Sequence, residues 1–316
     1  MSRQSCPQCA APVDPRDRFC EGCGARVADQ LRDRVEVDVG VAAGVSDRGR
    51  HHHRNEDALA LRRLGLGALG VGLGTNPGSA QHSAVIAVVC DGVSAADRPD
   101  EASQAAAEVA AEALVAALHS DHSPVTATRE AIHAADQAVA RLAGSETTRD
   151  APACTFVSAV VAGGGVTVGW VGDSRAYWIP QVRAKSAPPT KLTEDDSWLA
   201  QVLAAGTLTP AEAAADRRAH AITAWLGENS TPLDPHVVTF TPAGPGVVVV
   251  CTDGLWNYLD SVDALAAALP AQAHEAPLDA ARRLVEIALH CGGRDNVTVA
   301  VLPADPGPGA GPTGRR

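Results

Sequence analysis

Four short apolar segments of this 316-residue chain each end or begin at an aspartate, and this repeated arrangement restricts the fold more than any other feature. Asp91 follows SAVIAVVC, Asp173 follows VTVGWVG, Asp253 follows VVVVCT, and Asp295 precedes NVTVAVL. Apolar runs of this length are typical of buried strands. A single aspartate at a strand end is usually a turn former or a helix cap. Four of them, two followed directly by glycine, indicate strands whose ends meet at one acidic site.

A fifth acidic group lies in HHHRNED (51–57), where Glu56 and Asp57 precede a candidate strand. The histidines at 51 and 53 are interpreted as a solvated surface run rather than as metal ligands. Carboxylates that converge repel one another, and a divalent cation offsets that repulsion. Hard oxygen ligands select Mg²⁺ or Mn²⁺ over zinc. The sequence therefore predicts a magnesium or manganese site.

Strands and helices are grouped along the chain rather than alternating singly, which predicts an α+β fold. The predicted strands lie at 35–46, 58–64, 83–90, 154–173 (as two strands), 175–179, 236–240, 246–254 and 296–302. The predicted helices lie at 100–120, 123–143, 194–218, 261–269 and 278–290. The glycine-rich segment 65–81 is predicted to be a loop.

Composition excludes several classes of protein. Aromatic residues make up only 3% of the chain, so a core must consist mainly of Ala, Val and Leu. The formal net charge of −11 argues against a nucleic-acid surface, which needs clustered Lys and Arg. There is no apolar run of membrane-spanning length and no signal-peptide pattern, so a cytoplasmic protein is predicted. Four scattered cysteines are expected to be buried free thiols: Cys90, Cys154, Cys251 and Cys291.

The N-terminal segment carries two Cys-x2-Cys pairs, Cys6 with Cys9 and Cys20 with Cys23. This spacing presents four thiolates to one tetrahedral Zn²⁺; the alternatives are two disulfides or unligated thiols. A site of this kind has no open coordination position, so its role is structural, and the module is a possible docking point for a partner. The predicted organisation is a small four-cysteine zinc ribbon at 1–28, a linker at 29–34, the main domain at 35–302 and a disordered tail at 303–316.

The ordered set of acidic motifs resembles the metal-dependent PP2C-type (PPM) protein Ser/Thr phosphatases. The resemblance covers about 35–302 and rests on Arg54-Asn55-Glu56-Asp57, Val89-Cys90-Asp91-Gly92, Val171-Gly172-Asp173-Ser174-Arg175, Cys251-Thr252-Asp253-Gly254 and Arg294-Asp295-Asn296-Val297. It implies an α-β-β-α sandwich of two antiparallel sheets flanked by helix pairs. It also implies that residues 196–227 form a flap beside the site.

The resemblance further implies two to three Mg²⁺ or Mn²⁺ ions. Asp91 would bridge two of them, Asp253 and Asp295 would complete one, and Asp173 would share a third with Asp253. The carbonyl of Gly92 would hold the other ion of the bridged pair, with Glu56 and Asp57 reaching it largely through water, and Asn296 would orient Asp295. A metal-bridged hydroxide would then attack phosphorus of a phosphoserine or phosphothreonine.

One position departs from the family pattern. Many members carry an arginine five residues before the aspartate of the NED motif, where it binds substrate phosphate, and this chain has His52 there. The phosphate-binding candidates are therefore Arg48, Arg50, His52 and Arg54.

Three functions are compatible with these features. The first is a phosphoprotein phosphatase that opposes bacterial Ser/Thr kinases. The second is a phosphoprotein-binding pseudophosphatase or regulatory adaptor, for which the histidine at position 52 leaves room. The third is a zinc-ribbon adaptor for nucleic acid, which the acidic balance of the chain disfavours.

Overall fold

The computed structural model describes residues 4–6, 8–9, 11–13, 19–24, 33–65, 83–143, 150–182, 187–219, 221–228 and 233–307. Most of the predicted loop 65–81, the tail beyond 307 and linker positions 29–32 lie outside these residues. Within these ranges no helix is both long and apolar enough to cross a membrane.

The main domain consists of two antiparallel sheets, with strand orders β10-β9-β12-β13-β4-β3 and β11-β8-β7-β6-β5. A separate two-stranded hairpin, β1 with β2, lies at the N-terminus. The strands are β1 (Gln4–Ser5), β2 (Pro12–Val13), β3 (Arg34–Asp38), β4 (Ala43–Asp47), β5 (Asp57–Leu64), β6 (Ala84–Asp91), β7 (Phe156–Ala162), β8 (Gly165–Val171), β9 (Arg175–Pro180), β10 (Thr190–Lys191), β11 (His236–Phe240), β12 (Gly246–Cys251) and β13 (Val297–Ala304).

Helices cover the outer face of each sheet, and two short helices lie in segment 196–227. They are α1 (Pro99–His119), α2 (Pro124–Ala140), α3 (Trp198–Ala204), α4 (Pro210–Ala215), α5 (Asp253–Trp256), α6 (Val262–Ala268) and α7 (Pro277–His290). Proline stands in the first turn of α1 and of α2, where its missing N–H is not needed. The Ser123 hydroxyl accepts the N–H of Thr126 and caps α2.

Three apolar layers hold the domain together. Side chains of α1 and α2 pack on the five-stranded sheet, and those of α6 and α7 pack on the six-stranded sheet. The third layer, which includes Val89, Val157 and Val250, fills the space between the sheets. Small residues allow close packing, since a Cβ on Gly169 would lie 2.3 Å from Cγ2 of Thr128 on α2. The predicted α-β-β-α sandwich with an aromatic-poor core is confirmed.

Several predicted boundaries change. Segment 35–46 is a hairpin of β3 and β4 rather than one strand, because the chain reverses where Asp38 Oδ1 accepts the N–H of Gly40 at 2.7 Å. The helix predicted at 194–218 is two short helices, α3 and α4, and the second begins at its own capping box on Thr209. Strand β13 continues beyond 302 to Ala304. Cys291 is exposed, not buried, because it follows the last turn of α7.

Candidate metal centre

The acidic motifs lie where strands of both sheets begin or end. Asp57 opens β5 and is the register partner of Asp91, the last residue of β6. Asp253 begins α5 two residues after β12, and Asp295 stands two residues before β13. Asp173 lies in the turn between β8 and β9. Strand pairing therefore brings together carboxylates that are far apart in sequence.

Asp57 is the most enclosed of these groups. Its Oδ2 accepts hydrogen bonds from the hydroxyls of Thr252 at 2.9 Å and Thr298 at 2.8 Å. Its Oδ1 is buried and has no hydrogen-bond partner among the residues that the structure describes. Asp253 has the same arrangement, because Asn257 donates to Oδ2 at 3.2 Å while Oδ1 is buried without a partner. Two orphaned carboxylate oxygens in one site are the donors that a hard cation needs.

Asp91 ends β6, and Gly92 follows it in contact with the loop that precedes β5. The N–H of Asp91 is held by the hydroxyl of Thr155 at 3.1 Å, and the N–H of Gly92 by the carbonyl of Glu56 at 3.1 Å. A Cβ on Gly92 would lie 2.5 Å from the carbonyl oxygen of Pro99, so no side chain fits there. The backbone of residue 92 is thus fixed beside Glu56.

Burial and mutual repulsion raise the pKa values of these carboxyl groups. Desolvation, opposed by the two threonine hydroxyls, raises the pKa of Asp57 to about 8. Desolvation raises the pKa of Asp173 to about 7, with the charge of Asp253 adding to it. The pKa of Asp253 rises to about 6, mainly through desolvation and then the charge of Asp295. Asp91 has a pKa well above its usual range, because it is desolvated and lies near four other acids.

The carboxylates converge less closely than the sulfurs of the N-terminal module. Within the described ranges, Cys6, Cys9, Cys20 and Cys23 form the one group of three or more metal-ligating side chains whose donor atoms all lie within 4.8 Å of one another. Like charges oppose closer approach of the acids. The fit of a divalent cation to the acidic site therefore rests on the orphaned oxygens of Asp57 and Asp253 and on the shared repulsion of the group.

Asn296 fixes the loop that carries Glu56. Its Oδ1 accepts the N–H of Glu56 at 2.7 Å, and its Nδ2 donates to the carbonyls of Arg48 at 2.7 Å and Arg54 at 3.1 Å. Only its backbone N–H reaches Asp295, at 2.8 Å from Oδ1. The side chain of Asn296 thus braces loop 48–56, whereas its contact with Asp295 is made by the backbone N–H.

Three of the four phosphate-binding candidates already have partners in the protein. Arg48 pairs with Asp33 and donates to the carbonyl of His52. His52 Nε2 lies 3.0 Å from Asp295 Oδ1. Arg54 pairs with Glu56 at 3.0 Å and with Asp100 at 3.1 Å. The guanidinium of Arg50 is exposed and has no partner among the described residues.

The segment 196–227 is fixed to the turn that carries Asp173. Asp196 donates its N–H to the carbonyl of Gly172 and accepts the N–H of Gly172 on Oδ2, both at 2.9 Å. Its Oδ1 lies 3.0 Å from His236 Nε2. The neighbouring Asp195 holds Arg175, whose guanidinium also stacks on Trp256 at 3.7 Å from the ring centroid.

Sequence reasoning missed the hydroxyl groups that support the acids. Ser46 Oγ lies 2.7 Å from Thr298 Oγ1 and accepts a hydrogen bond from Nδ2 of Asn55 at 2.8 Å. Because Thr298 also donates to Asp57, these contacts connect β4, β13 and loop 48–56 to that carboxylate. Thr155 Oγ1 lies 2.8 Å from Ser174 Oγ beside Asp173. A signal was available, because Thr252 and Thr298 are polar residues inside or next to otherwise apolar segments.

The four N-terminal cysteines face one another around a common centre. Cys6 Sγ and Cys23 Sγ are 3.7 Å apart, and Cys9 Sγ and Cys20 Sγ are 3.5 Å apart. Four sulfurs about 2.3 Å from one tetrahedral zinc are separated by about 3.8 Å. No disulfide joins these cysteines. The sulfur positions therefore match the predicted zinc ribbon.

Known proteins share sequence and fold with this chain. The protein phosphatase 2C family profile matches residues 78–286, about two thirds of the chain. The serine/threonine protein phosphatase PstP of Mycobacterium tuberculosis is 28% identical over 251 residues, which cover 77% of this chain but 45% of PstP. The serine/threonine phosphatase stp of Listeria monocytogenes is 27% identical over 272 residues, which cover 82% of this chain and 94% of stp. A solved structure of the PstP catalytic domain with two manganese ions superposes with a TM-score of 0.57 at 26% identity, covering 84% of this chain and 98% of that domain.

Proposed function

Because this chain belongs to the protein phosphatase 2C family, we propose that it hydrolyses phosphoserine and phosphothreonine in proteins with two to three Mg²⁺ or Mn²⁺ ions. The observation that carries the proposal is the pair of buried, unpartnered oxygens on Asp57 and Asp253 beside Asp91. The chain spans only 45% of the length of PstP, so the catalytic activity itself, and not only the choice of substrate, is part of the proposal.

Seven residues would hold the ions: Glu56, Asp57, Asp91, Gly92, Asp173, Asp253 and Asp295. When bound, divalent cations activate water and neutralise charge on phosphoryl oxygens. The protein's contribution is orientation, because Thr252 and Thr298 leave one oxygen of Asp57 available and Asn257 does the same for Asp253. The carboxylates of Asp91, Asp253 and Asp295 would act in catalysis through the water they help to orient.

Arg50 is the best candidate for contact with the substrate phosphate. Its backbone N–H is fixed to the carbonyl of Gly293 at 2.7 Å, two residues before Asp295. Its guanidinium is not used in any ion pair within the described ranges, whereas Arg48, His52 and Arg54 would have to leave a protein partner first. An uncommitted arginine offers paired donors that match phosphate geometry.

The proposal is tested by Mn²⁺-dependent phosphate release from a phosphothreonine peptide. Wild-type protein should turn over the peptide and Asp253→Asn should not. Asp263→Asn, an equal change at an exposed aspartate in α6, should keep wild-type activity. Absence of turnover with any divalent cation would refute the proposal, and peptide binding without turnover would favour the pseudophosphatase alternative.

We propose in addition that Cys6, Cys9, Cys20 and Cys23 bind one structural Zn²⁺. Purified protein should contain about one zinc per chain, and Cys20→Ser should lose it. Cys291→Ser, which changes an exposed cysteine outside the module, should retain it. A zinc-free wild-type protein would contradict this assignment. The zinc ribbon (1–28) as a docking point, Ser/Thr kinases as targets and a cytoplasmic location remain predictions.

A further inference from the structure

The turn 292–295 and the loop 48–54 lie against each other beside the acidic site. Arg50 donates its N–H to the carbonyl of Gly293 at 2.7 Å, and His52 reaches Asp295 at 3.0 Å. Asn296 holds both ends of the loop through the carbonyls of Arg48 and Arg54. The backbone under this surface is therefore fixed, and its exposed side chains project from a rigid support.

Four exposed basic side chains on this surface have no ion-pair partner among the described residues: Arg50, His51, His53 and Arg294. We call them the cationic rim. Other arginines, such as Arg34, Arg62 and Arg282, pair with nearby acids. A chain with a formal charge of −11 thus leaves a group of bases uncompensated next to its own carboxylate cluster.

Two members of the rim, His51 and His53, line an open cavity of about 600 Å³ together with His52, Arg54 and Glu56. Glu56 is common to this cavity and to the acidic site, so the two spaces adjoin. The cavity is much larger than a single phosphate group. It has room for side chains that flank a phosphorylated residue.

We propose that His51, His53 and Arg294 of the cationic rim bind a second anionic side chain of the substrate, close to the phosphoserine or phosphothreonine that Arg50 contacts. This inference rests on the proposed phosphatase function and specifies its substrate class as peptides with a neighbouring carboxylate or second phosphate. Arg294 supplies a permanent charge, and even a neutral imidazole of His51 or His53 can donate one hydrogen bond to an anion. The net charge of −11 disfavours contact of an acidic substrate with much of the protein, so attraction at the rim contributes to selectivity.

The expected change in kcat/KM is small because the side chains of the rim are exposed to solvent. Exposed polar and charged contacts are individually weak, so those of His51, His53 and Arg294 together should change kcat/KM by about tenfold. The same exposure makes them sensitive to ionic strength. The preference for an acidic substrate should therefore shrink when salt is raised from about 0.05 M to about 0.5 M.

The test compares three phosphothreonine peptides with Mn²⁺: one with neutral flanking residues, one with flanking glutamates, and one with a second phosphothreonine. Wild-type protein should favour one or both anionic peptides over the neutral one by about tenfold in kcat/KM. The variant His51→Gln/His53→Gln/Arg294→Gln should lose that preference and keep its rate on the neutral peptide. Comparison of the two anionic peptides identifies the preferred anion.

Arg283→Gln is the charge-matched control, because it removes one exposed arginine from α7 away from the rim. It should retain the full preference. Equal rates of wild type on all three peptides, or an unchanged preference in the triple variant, would overturn the inference while leaving the phosphatase proposal intact. Failure to hydrolyse any peptide and para-nitrophenyl phosphate alike would instead remove the proposed function and this inference with it.

Discussion

The substitution Asn296→Ala removes the side chain that joins loop 48–56 to the start of β13. That side chain accepts the N–H of Glu56 and donates to the carbonyls of Arg48 and Arg54. Asn296 is only 2% exposed, so water cannot readily replace the lost contacts. We predict that the variant folds but is markedly less stable.

The magnitude follows from the hydrogen bonds. Three lost bonds at about 1 kcal/mol each, together with a penalty of about 1 to 2 kcal/mol for the buried N–H of Glu56 left without an acceptor, give about 4 to 5 kcal/mol. This is a large fraction of the stability of a typical domain. A displaced loop would also move Glu56 and Asp57, and we expect Mn²⁺ affinity to fall by about 10- to 100-fold.

Urea unfolding followed by tryptophan fluorescence measures the first effect. All five tryptophans lie between 170 and 256, so the signal reports the main domain rather than the N-terminal module. Calorimetric titration with Mn²⁺ measures the second effect. The control is Asn257→Ala, which removes one exposed hydrogen bond to Asp253 and should cost under about 1 kcal/mol.

Equal unfolding free energies for Asn296→Ala and Asn257→Ala would refute this reasoning, because the buried brace would then contribute no more than an exposed contact. A large loss of stability with unchanged Mn²⁺ affinity would refute only the link between loop position and cation binding.

Three further predictions concern the same site. Gly92→Ala should destabilise the protein by about 2 kcal/mol or more in thermal melts, since its Cβ would lie 2.5 Å from the Pro99 oxygen, whereas Gly65→Ala, with nothing within 4 Å, should melt like wild type. Arg50→Ala should raise KM for para-nitrophenyl phosphate about tenfold at unchanged kcat; an unchanged KM would exclude Arg50 from phosphate binding. Because the folded state raises the pKa of Asp57 to about 8 and of Asp253 to about 6, folding takes up protons above the unfolded pKa of about 4. Stability without added divalent cations should therefore fall as pH rises from about 4 to about 8; urea midpoints that stay level or rise over that range would contradict this, and Asp57→Asn should flatten the decline.

The acidic residues of the site could be found from sequence because each one is attached to a strand boundary. An apolar run followed by aspartate and glycine marks both a strand end and a side chain at that end, as at Asp91 and Asp253. The local sequence pattern is enough to find these acids, since pairing of the strands brings the strand ends that carry them together.

The supporting hydroxyls could not be found in the same way. Thr252 and Thr298 reach Asp57 across 195 and 241 residues of sequence. Threonine is common in strands for reasons of packing alone, so only the pairing of β12, β13 and β4 shows that these hydroxyls point at one carboxylate. The hairpin at 35–46 was missed for a related reason, because its alternating pattern continues through the turn.

The partners of the basic residues also depend on tertiary structure. His52 stands where relatives keep an arginine, and sequence alone did not decide among the four phosphate-binding candidates. The folded loop distinguishes them, because the side chains of Arg48, His52 and Arg54 each pair with an acid from another part of the chain, and the guanidinium of Arg50 has no such partner among the described residues.

The anchoring of residues 196–227 has a consequence for how related chains can diverge. The segment leaves and returns through one narrow stem, where Ser197 bridges Ile222, the N–H of Trp198 meets the carbonyl of Ala221, and Asp196 joins Gly172 and Thr223. Among the described residues 199–219, the hydrogen bonds that leave the segment beyond the stem are made with stem residues. The part of segment 196–227 beyond the stem can therefore change in length and composition while both anchored ends keep their positions. Substitutions beyond the stem can thus change the surface beside the site while the positions of the carboxylates are kept.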